Sequence, residues 1–386
     1  MLFLTPKFVK QGRLYIKEAQ KRLAYNRDRW QPQTIEAFER EIGRLEGAVK
    51  ARDEREVKTC EESLEKLCSQ HCPLAPNASI GENVEVILVA IIVALGIRTY
   101  LLQPFTIPTS SMFPTLNGIT GKATTDEPPN LFVRAWQTAA YGRTWHNVIA
   151  EADETITRMG EERRWLLLPF FTYTRMDTDK GNTYWINESE RPVLDTFGIR
   201  PGFHCRKGEP IARGYTDTGD HVFVDKFSYH FRKPTRGEVF VFITEYIDIP
   251  NYGISGPPPM KPSQFYIKRL GGLPGDELRI AAPELFHNGH RAEESGFVRV
   301  MKGSQGEPDD GYFGYSNTVG YLLRSPLSPF RVPERQYFAL GDNSYNSSDS
   351  RAWGTVPQDN LMGAGLFVYW PFLNNSKSGS HFGLIR

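Results

Sequence analysis

Between residues 33 and 68 the apolar positions recur at helical spacing. Ile35, Phe38, Ile42, Leu45 and Val49 step by three and four, and Val57, Cys60, Leu64 and Leu67 do the same after a charged break at 52–56. The pattern predicts a helical hairpin or short coiled coil, and two heptads per stretch argue little for a dimer. Pro73, Pro76 and Gly81 are expected to end the helix and form a linker. Residues 84–102 then hold the one transmembrane candidate. Its uninterrupted apolar core, 86–97, is shorter than the ~20 residues of a full span, unless Glu85 and Arg98 snorkel at the ends. A buried core helix is the competing reading. After Pro104 the period changes to two. HVFVDKF (221–227), EVFVFI (238–243), QFYIKRL (264–270) and LFVYW (366–370) read as short strands bounded by Gly, Pro or Asp.

Composition sharpens this division only slightly. The chain has 386 residues, with 46 Lys+Arg against 45 Asp+Glu, a near-neutral balance that does not point to nucleic-acid binding. Lys7, Lys10, Arg13, Lys17, Lys21, Arg22, Arg27 and Arg29 against Glu18 and Asp28 make a basic N-terminal stretch. It reads as a basic helix on an anionic membrane or as a solvated surface helix. Placed far from the span, it weakly favours an inside N-terminus. Cys60, Cys68, His71 and Cys72 admit a metal site, but with no tight CxxC pair; half-buried free thiols are the plainer reading. Cys205 lies far beyond the apolar run and has no partner on its side of such a span.

Three segments carry candidate chemistry. In FTIPTSSMFPTL (105–116), Pro108 and Pro114 hold the backbone on either side of Ser111, nine residues beyond the apolar run. A serine hydroxyl needs a base to take its proton. The histidines offer no triad context, whereas Lys268 sits among Phe265, Tyr266, Ile267 and Leu270. Burial there disfavours the ammonium and suits a lysine base. A third segment, GDNSYNSSDSRAWGTVP (341–357), gathers Asp342, Asn343, Asp349 and Arg351 into a polar loop.

Taken in order, PTSSMFPTL, GDHVFVDKFSY (219–229), RGEVFVF (236–242), YIKRLGGLPGDEL (266–278), GDNSYNSSDSRAWG (341–354) and GLFVYWPF (365–372) resemble the type I signal peptidase family, over roughly a third of the chain. The resemblance implies Ser111 as nucleophile and Lys268 as general base. It implies Thr109, in place of the usual serine, and the Ser111 N–H as the oxyanion hole, and Ser347 as the hydroxyl orienting the lysine. Ser110 departs from the usual glycine. Arg269, Asp342, Asp349 and Arg351 match a structural network. The apolar neighbours Phe105, Ile107, Pro108, Met112, Leu116, Tyr266 and Ile267 are expected to wall the site and form shallow pockets for A-x-A-like cleavage sites.

The expected fold class follows: a mainly β catalytic domain of antiparallel sheets, signal-peptidase-like, over 103–386 with insertions at 117–218 and 281–335. One transmembrane helix, 84–102, and a cytoplasmic helical region, 1–83, precede it. The first insertion contains a helix-like stretch, Thr144–Met159, and an aromatic-rich one, Trp165–Trp185. The implied protein is a single-pass inner-membrane enzyme with its N-terminus cytoplasmic and its site outside. Its partners would be exported preproteins and the lipid bilayer, with no nucleic acid, no metal and no cofactor. Competing readings are another Ser-Lys protease with one dedicated substrate, a self-cleaving repressor, disfavoured by the span and the lack of a helix-turn-helix pattern, and a catalytically dead membrane-anchored binding homologue. Retention of both Ser111 and Lys268 argues against the last.

Overall fold

The computed structural model describes residues 6–71, 78–163, 172–245, 247, 264–303, 313–374 and 380–385. It divides into two compact units, Met1–Val93 and Ala94–Arg386.

The first unit is helical. Helices α1 (Lys7–Asn26), α2 (Pro32–Ala51) and α3 (Glu54–His71) share one core, in which Val9, Ala19 and Leu23 meet Phe38, Ile42, Leu45, Val57, Cys60 and Leu64. The apolar steps read from the sequence are this face. The charged break becomes a tight turn: Arg52 takes a left-handed conformation at φ 55°. Asp53 Oδ1 then accepts from the backbone N–H groups of Arg55 and Glu56, capping α3.

Helix α4 (Ala78–Tyr100) differs from the expected 84–102 at both ends. Gly81, expected in a linker, lies within it, and Leu102 already belongs to a strand. Pro73, Pro76 and Cys72 lie outside the described residues. Asn83–Tyr100 is long and apolar enough to cross a membrane, and none of that window is buried. Gly81 is tolerated in the helix because a single glycine costs only about 1 kcal/mol against alanine.

The second unit is built on an antiparallel eight-stranded sheet. Its strands are β1 (Leu102–Thr106), β2 (His221–Asp225), β3 (Val239–Ile243), β4 (Phe265–Gly272), β5 (Gln336–Leu340), β6 (Val356–Pro357), β7 (Leu361–Trp370) and β8 (Gly383–Leu384). The order is β1-β2-β7-β3-β4-β5-β6, with β8 on β7. Each strand read from the sequence is present. Side-chain alternation along β2 buries Val222 and Val224, as period two requires.

The first insertion folds around its own core, which includes Ile156, Met176, Ile186, Val193 and Ile211. It has a three-stranded sheet (120–123, 143–149, 210–217) and a four-stranded one (154–163, 172–178, 183–186, 204–205), with helices α5 (Leu131–Tyr141) and α6 (Glu190–Phe197). The helix expected at Thr144–Met159 is instead two strands, Arg143–Ile149 and Glu154–Arg163. Their Thr, Val and Ile residues are β-branched and favour a pleated surface, and the helical steps among them were coincidental. Part of the aromatic-rich stretch, 165–171, lies outside the described residues.

The second insertion begins earlier than expected. Strand 277–281 pairs with 284–287 and 330–331, not with the main sheet, so this added structure starts at Glu277. With helix α7 (Ser295–Lys302) it packs Leu278, Leu285, Phe297 and Val300 against Phe338 and Leu340 of β5.

Candidate functional site

Two elements bring the candidate chemistry together. Strand β1 runs out at Thr106, and the chain turns through Ile107 and Pro108 into a single 3-10 turn, Ser110–Met112, that holds Ser111. Lys268 lies in the middle of β4, opposite Phe240 of β3. Lys268 Nζ stands 2.7 Å from Ser111 Oγ and 3.1 Å from the Ile267 carbonyl oxygen, and only 5% of the residue is exposed.

Burial is the main influence on this amine and pushes its pKa down to about 8, from an ordinary 10.5. The carboxylates of Asp349 and Asp342 pull in the other direction without overcoming it, and Arg351 adds to the depression. A fair fraction of the lysine is therefore neutral near pH 8. In that state the Ser111 hydroxyl donates to Nζ.

Two buried ion pairs hold the surrounding loops. Arg269, next to Lys268, donates from Nε and Nη2 to both carboxylate oxygens of Asp342, at 2.7 and 2.6 Å. Thr115 Oγ1 accepts from Arg269 Nη2 at 2.9 Å and donates to Asp342 Oδ2 at 2.5 Å. This node ties the strand of Lys268 to the loop of Ser111. Burial disfavours the Arg269 charge, but Asp342 outweighs it and holds the guanidinium pKa above its ordinary value. The second pair joins Arg351 to Asp349 through Nε and Nη2, at 2.8 and 2.7 Å. Asp349 also accepts from the Gly341 N–H. All four residues are fully buried. Such pairs fix geometry more reliably than they add stability.

The expected residues do not all fall where the sequence put them. Thr109 is close, its Oγ1 lying 3.4 Å from Ser111 Oγ. Ser347 is buried, but its Oγ has no hydrogen-bond partner among the described residues, so it does not orient Lys268. It packs instead over Gly341, where a β-carbon would come within 2.0 Å of Ser347 Oγ and 2.7 Å of the Ser111 carbonyl oxygen. Met112 and Leu116 are fully buried in a core with Ile107, Val222, Val239 and Val368, and cannot line an open pocket. Ile107 belongs to the same core. Pro108 is exposed, and Phe105, Tyr266 and Ile267 are half-buried beside the dyad.

Asn343, read from the sequence only as a member of the polar loop, has a positioning role, and further positioning groups were not singled out beforehand. The Asn343 N–H donates to the Ser111 carbonyl oxygen at 3.0 Å, and its Nδ2 donates to the Ser110 carbonyl oxygen. Thr115 was hidden because a threonine between a proline and a leucine carries no pattern. The second insertion also reaches the site. Gly296 of α7 lies flat on Arg269, where a β-carbon would sit 2.0 Å from Nη1. The Ser316 carbonyl oxygen accepts from Arg351 Nη1 at 2.8 Å. As for metal, the described residues contain no cluster of three or more His, Cys, Asp or Glu able to hold an ion. Cys60 is buried in the helical core, and Cys72 lies outside the described residues.

The model of the family described as signal peptidase, peptidase S26, matches residues 214–370, a span that contains Lys268 but not Ser111. Signal peptidase I of Pseudomonas fluorescens is 31% identical over 229 residues, covering 50% of this chain and 74% of that protein. The chain belongs to the signal peptidase family. The probable signal peptidase I-2 of Synechocystis sp. is 32% identical over 156 residues, and the match spans 39% of this chain and 56% of that relative. A solved signal peptidase I from Enterococcus faecalis is 27% identical, covering 34% of this chain and 97% of the other at a TM-score of 0.24. The family match, 214–370, takes in strands β2 to β7 of the main sheet together with the whole second insertion. The helical unit and all but the last residues of the first insertion lie outside that span.

Proposed function

We propose that this protein is a membrane-anchored serine endopeptidase that removes signal peptides from exported preproteins. Ser111 is its nucleophile and Lys268 its general base. One observation carries the reading: an amine 2.7 Å from a serine hydroxyl, in a site where burial brings its pKa to about 8.

The proposed chemistry uses only these groups. Neutral Lys268 takes the Ser111 proton as Oγ attacks the scissile carbonyl carbon. The new oxyanion is met by the Ser111 N–H and, after a small rotation from its present partner, by the Thr109 hydroxyl. Each such donor is worth roughly 3–4 kcal/mol in other serine proteases. The lysine ammonium then protonates the leaving amine, and the acyl-enzyme forms. Water, deprotonated by the same lysine, releases the signal peptide and restores Ser111. Arg269, Asp342, Asp349 and Arg351 hold the two loops and take no part in proton transfer. Phe105, Pro108, Tyr266 and Ile267 suit shallow pockets for small side chains, as A-x-A sites present. Asn83–Tyr100 would cross the inner membrane once, with the helical unit on the cytoplasmic side and Ser111 just outside.

Incubation of the detergent-solubilised protein with a preprotein bearing an A-x-A site tests this. A single cut after the final alanine is expected, and it should vanish in both Ser111→Ala and Lys268→Ala. An intact preprotein would remove the general signal peptidase reading in favour of a dedicated substrate.

A further inference from the structure

Charge is sorted unevenly within the helical unit. Helix α1 carries six cations and one carboxylate, Glu18, which is paired with Arg22 at 3.2 Å. Helices α2 and α3 together carry nine carboxylates and six cations. Val9, Gly12, Ala19 and Leu23 turn one face of α1 into the core. On the opposite face Lys7, Lys10, Leu14, Lys17, Lys21 and Tyr25 follow one another at three- and four-residue steps, all exposed. Leu14 is 68% exposed and Tyr25 80%. Among the described residues none of these four lysines forms an ion pair. A solvated face would be expected to intersperse acids, as α2 and α3 do.

From this we infer that the outward face of α1 docks on anionic phospholipid headgroups, its lysines on the phosphates and Leu14 and Tyr25 at the acyl boundary. The inference rests on the reading that Asn83–Tyr100 crosses the membrane. Only residues 72–77 separate α3 from α4, and six extended residues reach about 20 Å. The unit is therefore tethered beside a lipid surface whatever its orientation. The basic face matches such a surface in charge, and the remaining helices match it poorly.

The test uses the full chain in vesicles of phosphatidylcholine alone, or of phosphatidylcholine mixed with phosphatidylglycerol. Lysine acetylation is read by mass, taking Lys50, Lys58 and Lys66 of α2 and α3 as the reference within each sample. In the anionic vesicles Lys7, Lys10, Lys17 and Lys21 should react at least threefold more slowly relative to that reference, and high salt should restore them. Equal relative rates in both vesicles overturn the docking. Slowing that is the same in both and grows with protein density assigns the face to a second copy of the chain, and also overturns it. Alkaline extraction from the neutral vesicles separates the two readings. Release of the protein removes the membrane span and the docking together, whereas retention without slowing removes the docking alone.

Discussion

The two insertions interrupt the same catalytic sheet but relate to it in opposite ways. The first, 117–218, encloses its own apolar core, and its buried carboxylate, Glu154, is answered within the insertion by Thr178, Asn182 and Tyr184. The second shares its core with Phe338 and Leu340 of β5 and lays Gly296 on Arg269 and Ser316 on Arg351. An insertion with its own core can vary without moving the dyad. One that borrows the core of the sheet becomes part of what positions Lys268.

The largest effect should come from the node the second insertion covers. Arg269→Met leaves Asp342 buried and uncompensated, and should destabilise the protein by about 3–5 kcal/mol in chemical denaturation. A loss below about 1 kcal/mol would mean the pair does not hold the loops. Next comes the lysine itself. Unfolded, it titrates near 10.5; folded, near 8. Between those values the unfolded chain binds a proton that the native state has released. Stability therefore rises with pH across that window, and below about 8 the native state bears the full penalty of the buried charge. Relative to Lys268→Met, the native protein should gain about 3 kcal/mol from pH 8 to 10.5. A pH-independent difference would place the amine in water.

Smaller effects sharpen the contrast between the insertions. Glu154→Gln replaces one of the two accepting carboxylate oxygens by an amide NH2, a donor facing the donors of Thr178 and Asn182 or of Tyr184. It should lower thermal stability by roughly 1–3 kcal/mol while leaving kcat within twofold. A large drop in kcat would tie the first insertion to the site after all. Gly296→Ala should do the reverse. Its methyl group displaces Arg269, so kcat should fall about tenfold, equivalent to ~1.4 kcal/mol, with KM little changed. Equal losses in kcat/KM for Glu154→Gln and Gly296→Ala would erase the distinction.

The strands of the main sheet and the helical hairpin were legible because each rests on local signals, whereas Ser111 and Lys268 were paired through the order of the family-like segments. The local signals are period two between turn residues and three-and-four spacing. What failed was non-local. Met112 and Leu116 looked like pocket residues because they flank Ser111 in sequence, yet both lie in the core. Ser347 was expected on the lysine amine, but the space over Gly341 takes its side chain. Thr115 and Gly296 gain their roles from partners 227 residues and 27 residues away, Asp342 and Arg269, and no periodicity marks such a meeting. The Thr144–Met159 stretch failed differently: helical steps among β-branched residues lost to pairing of 143–149 with strand 210–217 and of 154–163 with strand 172–178.

The central claim is that neutral Lys268 activates Ser111, and the pH dependence of kcat/KM for preprotein cleavage tests it most directly. The account predicts that activity falls tenfold per pH unit below a single acidic limb near 8, the value to which burial brings the amine, and that Lys268→Ala is inactive throughout. A limb at 6.5 or below, together with cleavage surviving in Lys268→Ala, would show that another group takes the Ser111 proton and would contradict the account.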